Sequence, residues 1–151
     1  MFRIGMHYLH TMVRIENLDS SVDFYTKILG LEEITRKENQ KGRYTAVFLK
    51  APGDEVDMNG RKAPILELTY NWDLEKYSGG RNFGHLAYAV ENIYEYCAQL
   101  QSEGVVINRP PRDGHLAFIR SPEGISIELL QIGQSLPPQE PWVSMPNVGE
   151  W

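Results

Sequence analysis

Two histidines and two glutamates occupy matching places in two similar halves of the sequence. The stretch "HTMVRIENL" begins at His10, and "HLAYAVENI" begins at His85. Glu67 stands in "PILELTY" and Glu128 in "ISIELLQ", each after an aliphatic residue and before Leu. The halves therefore repeat one pattern, in which a histidine opens the segment and a glutamate closes it.

These four side chains have the composition of a site for a divalent metal ion. If the halves pack as pseudo-twofold copies, two neutral imidazoles and two carboxylates can converge on one concave face. Nitrogen and oxygen donors without thiolates suit Zn²⁺, Ni²⁺, Co²⁺ or Mn²⁺ and argue against a structural zinc cluster. The alternative is that each side chain lies on the solvated face of a half-exposed sheet, where charged groups need no partner.

The neighbours of the four residues favour an open site. Because side chains alternate along a strand, Arg14 shares the face of the first histidine, and Thr69 and Asn71 share the face of the first glutamate. Ala87 and Ala89 follow the second histidine on its face and leave room for a ligand. Arg14 and Asn71 stand about 13 Å along their strands from the candidate ligands, at about 3.3 Å per residue. They can hold the far end of an anionic substrate.

The segments around these residues predict a strand, a helix and three strands, twice over. Asp19 or Ser20 can cap the first helix, and Gly30 suits its end, while Asn92 and Gly104 bound the second helix. Strands are expected at 9–15, 31–38, 43–50 and 64–71, and again at 85–90, 104–110, 115–120 and 125–132.

This order predicts an α+β fold with tandem βαβββ modules at about 8–72 and 83–132, forming a single domain over 1–132. Its curved mixed sheets are expected to form the metal-binding cleft. Residues 133–151, here named the C-terminal arm, contain four prolines and two tryptophans without periodicity. Since a disordered tail seldom keeps two tryptophans, we expect an extended arm that lies on its own domain or on a partner.

Composition sets limits on the partners. The chain has 151 residues, of which 42% are hydrophobic and 23% charged, as in ordinary globular proteins. A net charge of −5 makes nucleic acid a poor partner, and the apolar runs are too short to span a membrane. Cys97 alone cannot form an internal disulfide and falls on the apolar helix stripe. With no secretory signal evident, we expect a cytoplasmic protein.

Several segments resemble glyoxalase I (lactoylglutathione lyase), a family of the vicinal-oxygen-chelate superfamily. They are "LHTMVRI", "LELTYNW", "FGHLAYAV" and "SPEGISIELLQ", and the resemblance covers about residues 8–132. It implies a homodimer in which each metal site takes one His–Glu pair from each subunit. It also implies Ni²⁺ or Zn²⁺, or else Co²⁺, held by His10, Glu67, His85 and Glu128.

The resemblance further implies a reaction. The family isomerises the hemithioacetal of methylglyoxal and glutathione to S-lactoylglutathione through an enediolate. Glu128 is the first choice for the carboxylate that moves the proton, and Glu67 is the second. Arg14 and Asn71 match positions that hold the glutamyl end of glutathione. Arg81 matches an arginine that some members use for the glycyl carboxylate, although it is equally typical of a solvated loop.

Other functions on the same scaffold stay open at this point. They include a metal enzyme that acts on a different thiol adduct, a CoA-thioester epimerase, an extradiol dioxygenase, and a metal-free module like the bleomycin-sequestering relatives. A dioxygenase of this superfamily typically holds Fe(II) with two histidines and one glutamate, so a fourth candidate ligand at Glu67 counts against it. The metal-free relatives lack the ligand set altogether.

Overall fold

The computed structural model describes residues 6–56 and 64–151. The chain divides into two compact units, Met1–Tyr77 and Ser78–Trp151. Each unit contains one of the expected modules, and each is described by itself below. The extent of the predicted single domain stays a prediction. None of the helices in the two described ranges is long and apolar enough to cross a membrane.

The first unit is a four-stranded mixed sheet with one helical segment. Its elements are β1 (His10–Ile15), α1 (Leu18–Asp23) with a π-helical turn (Phe24–Ile28), β2 (Glu32–Asn39), β3 (Tyr44–Lys50) and β4 (Ile65–Asn71). The strand order is β1-β4-β3-β2, with β1 parallel to β4 and the other pairs antiparallel.

The helix of the first unit begins two or three residues earlier than the sequence predicted. Asn17, which has an extended backbone, accepts a hydrogen bond on its side-chain oxygen from the N–H of Ser20 at 2.9 Å. The expectation of a cap at Asp19 or Ser20 was therefore wrong, because both residues already lie within α1. Gly30 has a φ of +91°, which confirms the left-handed end of the helical segment.

The second unit repeats the plan with one strand fewer. Its elements are β5 (Leu86–Val90), α2 (Ile93–Ser102), β6 (Leu116–Arg120) and β7 (Ser126–Gln131). The sheet order is β5-β7-β6, with β5 parallel to β7. Asn92 caps α2 as predicted, since its side-chain oxygen accepts from the N–H groups of Tyr94 and Glu95.

The strand expected at 104–110 is not formed. Arg109 makes an isolated bridge to Phe118, whose carbonyl oxygen accepts from the N–H groups of both Asn108 and Arg109. Pro110 and Pro111 follow directly and have no N–H to donate, so the ladder cannot continue. The eight-residue β2 of the first unit thus has no regular counterpart in the second.

Each sheet buries one face under its helix. The buried residues of the first unit include Val13, Ile15, Val22, Tyr25, Leu29, Val47, Leu49, Leu66 and Leu68. Those of the second include Ile93, Cys97, Leu100, Ala117, Ile119, Ile127 and Leu129. Burial raises the pKa of the Cys97 thiol to about 12, which confirms a core role rather than a nucleophilic one. The opposite faces carry the candidate site residues.

The C-terminal arm lies against its own unit. Trp142 is 3% exposed and stacks on Tyr94, with ring centroids 6.3 Å apart and an interplanar angle of 10°. The Tyr94 hydroxyl donates to the carbonyl oxygen of Pro137 at 2.9 Å. Gly114, with φ of +67°, lies so close to Leu136 that a β-carbon would overlap the Leu136 carbonyl. In this structure the arm therefore packs on its own unit through Trp142.

Candidate metal centre

The first His–Glu pair forms across two parallel strands. In β1 and β4, Met12 is aligned with Glu67, so His10, two residues earlier, projects from the same face. The Nε2 atom of His10 lies 3.0 Å from Oε2 of Glu67. The imidazole is 38% exposed and the carboxylate 16% exposed, so the pair stands at the surface with its acidic member largely covered.

The second pair repeats this arrangement. Ala87 of β5 is aligned with Glu128 of β7, and His85 precedes Ala87 by two residues. The Nε2 atom of His85 lies 3.1 Å from Oε2 of Glu128, and the two side chains are 41% and 17% exposed. The sequence repeat is therefore also a repeat of geometry and burial.

Both pairs fit the ligand spacing of a divalent ion. Two donor atoms that are each about 2.1 Å from one ion, at right angles, lie about 3.0 Å apart. Each pair offers one imidazole nitrogen and one carboxylate oxygen, which suits a borderline metal. Among residues 6–56 and 64–151, no group of three or more His, Cys, Asp or Glu side chains could hold a metal. The convergence of both pairs on one ion stays a prediction.

The carboxylates of Glu67 and Glu128 differ in their hydrogen-bond partners. The hydroxyl of Thr69 donates to Oε1 of Glu67 at 3.2 Å, so both oxygens of this carboxylate have a partner. Leu130 occupies the corresponding position two residues after Glu128 and cannot donate. In the described part of the chain, the Glu128 carboxylate has His85 as its polar side-chain partner and no hydroxyl. Glu128 is the less constrained of the two carboxylates.

Each histidine ring also meets an aromatic ring edge to face. The ring centroid of Phe48 lies 6.2 Å from that of His10, and the angle between the two ring planes is 82°. The ring centroid of Phe118 lies 5.3 Å from that of His85, and the angle between the two ring planes is 78°. Each phenylalanine is aligned in register with the glutamate of its pair. Sequence reasoning missed both, although "FLK" and "FIR" repeat in the two halves and could have revealed them.

Arg14 and Asn71 lie on the same face of the first sheet, as predicted. The side-chain amide of Asn71 donates to Glu75 and to the hydroxyl of Tyr77, at 3.2 Å each. Burial and the Glu75 carboxylate raise the pKa of Tyr77, against the opposing charge of nearby Arg14. The structure thus gathers Arg14 and Asn71 around Tyr77, a residue that the sequence pattern did not single out.

The segment that carries Tyr77 is hydrogen-bonded to Glu16, the residue that follows β1. The Glu16 carboxylate accepts from the ammonium of Lys76 at 3.1 Å and from the N–H of Tyr77 at 3.3 Å. These bonds lower the pKa of Glu16. Arg81 belongs to the second unit, is exposed, and has no hydrogen-bond or ion-pair partner among the described residues. Its cation is available to a ligand.

Comparison with known proteins decides the family. The sequence model of the family described as the Glyoxalase/Bleomycin resistance protein/Dioxygenase superfamily matches residues 7–129 of this chain. The lactoylglutathione lyase of Neisseria meningitidis serogroup B is 40% identical over 131 residues, which cover 83% of this chain and 91% of the relative. That of Escherichia coli O157:H7 is 37% identical, covering 83% of this chain and 93% of the relative. The chain belongs to the lactoylglutathione lyase (glyoxalase I) family.

The structural comparison agrees. The solved trypanothione-dependent glyoxalase I of Leishmania major is 34% identical, with a TM-score of 0.76, and the match covers 84% of this chain and 87% of that one. The glyoxalase fold predicted from the sequence is confirmed. The superfamily match ends at residue 129, so the C-terminal arm of this glyoxalase I family member lies beyond it.

Proposed function

We propose that this chain isomerises the hemithioacetal of methylglyoxal and glutathione to S-lactoylglutathione, with both His–Glu pairs as ligands of one divalent ion. One observation carries the proposal. A chain of the lactoylglutathione lyase family repeats the same His–Glu geometry, at 3.0 and 3.1 Å, in both of its units. Two independent ion pairs on a solvated surface would not be expected to share the same distance, the same exposure and the same aromatic neighbour.

The residues that would hold the ion are His10, Glu67, His85 and Glu128. Their two imidazoles and two carboxylates suit Ni²⁺, Zn²⁺ or Co²⁺ and balance the charge of a divalent ion. When bound, the ion supplies a Lewis acid that stabilises negative charge on the substrate oxygens.

Glu128 is our choice for the carboxylate that moves the proton. It takes the proton from the carbon bonded to sulfur and returns it to the neighbouring carbon, so that substrate and product are isomers. A base must be free to approach carbon, and no hydroxyl among the described residues donates to Glu128 as Thr69 donates to Glu67. Thr69 makes Glu67 the better fixed ligand and therefore the second choice for the base.

Arg14 and Asn71 would hold the glutamyl end of glutathione. Their strands run side by side, and Arg14 is aligned with Thr69, two residues beyond Glu67. A guanidinium recognises a carboxylate by paired hydrogen bonds, and an amide recognises the same group by one. Arg81, whose cation has no partner in the described part of the chain, would take the glycyl carboxylate.

We further propose a homodimer in which each site takes one pair from each subunit. The test mixes two inactive chains, Glu67→Ala and Glu128→Ala, by co-expression. A mixed dimer then contains one site with both glutamates intact, so activity returns. A matched control mixes Glu67→Ala with His10→Ala, which damage the same pair and leave every site broken. A mixture of the first two that stays as inactive as this control would contradict shared sites.

The reaction itself is tested with metal-stripped protein. We expect isomerisation of the methylglyoxal–glutathione adduct to be absent without metal and to return with Ni²⁺, Zn²⁺ or Co²⁺. Turnover with none of them would contradict the proposal and favour another thiol, epimerase or dioxygenase chemistry, or a binding role. Because the glyoxalase I of Leishmania major is trypanothione-dependent, the adduct of trypanothione is the second one to assay. The cytoplasmic location and the lack of nucleic-acid or membrane partners stay predictions of the sequence.

A further inference from the structure

The C-terminal arm brings an aromatic side chain to the second His–Glu pair. The indole of Trp151 stacks on Phe118, with centroids 6.0 Å apart and planes 26° apart. Phe118 in turn meets the ring of His85 edge to face at 5.3 Å. Trp151 is 39% exposed, so part of its surface is open on the side of the sheet that carries Glu128. The arm thus brings Trp151 onto Phe118, the residue aligned with the proposed base Glu128.

Specific bonds fix this position. Asn108 and Val148 exchange two hydrogen bonds: the Val148 N–H donates to the Asn108 carbonyl at 2.8 Å, and the Asn108 amide donates back at 2.9 Å. The guanidinium of Arg120 donates to the carbonyl of Glu150 at 2.6 Å. Arg120 lies two residues after Phe118 on the same face of β6, so its bond sets the indole over the phenyl ring.

The corresponding position of the first unit is different. There the ammonium of Lys37, from β2, lies 5.7 Å from the ring centroid of Phe48. The second unit has no regular strand at this place, and the arm covers the phenylalanine instead. One half of the repeat therefore presents a cation over its phenylalanine, and the other presents an apolar ring.

We propose that Trp151 and Phe118 form an apolar surface that binds the side group R of the 2-oxoaldehyde R–CO–CHO and favours aryl over methyl groups. This inference rests on the proposed function. The carbon that bears R receives the transferred proton, so R must lie near Glu128, where the two rings are. Flat aromatic faces stack on an aryl group and offer little extra to a methyl group.

The test separates binding from turnover. S-Benzylglutathione and S-methylglutathione are unreactive thioethers whose S-substituent occupies the place of the aldehyde carbons. We expect Trp151→Ala to weaken S-benzylglutathione binding to the metal-loaded protein about three- to tenfold, the usual size of one aromatic contact. Binding of S-methylglutathione should change less than about twofold by the same reasoning. Trp151→Phe keeps a ring and should restore most of the benzyl affinity.

Turnover gives a second readout. The ratio of kcat/KM for the phenylglyoxal adduct to that for the methylglyoxal adduct should fall in Trp151→Ala by a similar factor. Val143→Ala is the matched control, since Val143 is an exposed apolar residue of the same arm, eight residues before Trp151. Both its binding constants and its ratio should equal those of the parent.

The outcomes are distinguishable. Equal affinity of Trp151→Ala and the parent for S-benzylglutathione would overturn this inference alone. An equal loss for both thioethers would also overturn it, because that pattern indicates a merely structural arm. Failure of the parent chain to bind either thioether would overturn this inference together with the proposed function.

Discussion

Removing the hydroxyl of Thr69 should loosen Glu67 and weaken metal binding. The hydroxyl donates to Oε1 of Glu67 at 3.2 Å, and Thr69 is 7% exposed, so water cannot readily replace it. A hydrogen bond to a charged acceptor contributes about 1.5–3 kcal/mol. Because 3.2 Å is long for an O–H donor, we take the lower figure, about 1.5 kcal/mol, which corresponds to about tenfold in a metal Kd.

The assay is a competition titration of metal-stripped Thr69→Val against a chromophoric chelator. We expect a Kd about tenfold higher than that of the parent, with kcat at saturating metal changed less than about threefold because Glu128 moves the proton. Thr69→Ser keeps the hydroxyl and should bind metal about as tightly as the parent. Leu130→Val trims the corresponding position beside Glu128 and should also bind normally. A parent-like Kd in Thr69→Val, or an equal loss in Thr69→Ser, would refute the reasoning.

Three further predictions concern stability and reactivity. Although burial alone would raise the pKa of Asp113, bonds from Arg109 and two backbone N–H groups lower it to about 2. Because Asp113 is partly exposed, we expect Asp113→Asn to reduce the free energy of unfolding by only about 1 kcal/mol at pH 7. This loss should disappear as the pH falls from about 4 through 2, where the carboxylate becomes protonated, and a loss that does not depend on pH would contradict the prediction. The control Asp73→Asn, at an exposed carboxylate, should reduce the free energy of unfolding less. The buried Cys97 should react with a thiol reagent at pH 8 only on unfolding, and prompt labelling of the native chain would contradict its burial. Trp142→Ala should lower the free energy of unfolding by about 3 kcal/mol in a denaturant titration, as expected for a buried tryptophan, and an unchanged midpoint would contradict the docking of the arm.

The strand face on which each candidate site residue lies could be predicted from the sequence because strand periodicity is local. A residue two places from a known position lies on the same face of a strand, so the pattern put Arg14 on the face of His10 and Asn71 on the face of Glu67; the contacts of His10 with Glu67 and of His85 with Glu128 depend in addition on β1 lying beside β4 and β5 beside β7. The helix stripes and the glycine at the end of the first helical segment also depend on neighbours in sequence.

The parts that could not be predicted depend on contacts between distant segments. The stretch 104–110 has the composition of a strand, yet Pro110 at its end and Pro111 after it cannot donate to a ladder, and only an isolated bridge to Phe118 forms. The bond from Thr69 to Glu67 could be recognised only from atomic positions, as could the fact that no described hydroxyl donates to Glu128. The contact of Trp151 with Phe118 joins segments more than thirty residues apart, and the sequence has no periodic pattern that predicts it.

Metal content of pair-deleted chains tests the central claim most directly. The parent should bind one divalent ion per chain, measured by calorimetry and elemental analysis of the purified protein. His10→Ala/Glu67→Ala and His85→Ala/Glu128→Ala should each lose that ion, because two remaining ligands do not hold it against water. If either double variant bound the ion as tightly as the parent, or if the parent bound two ions per chain, the two pairs would not share one metal.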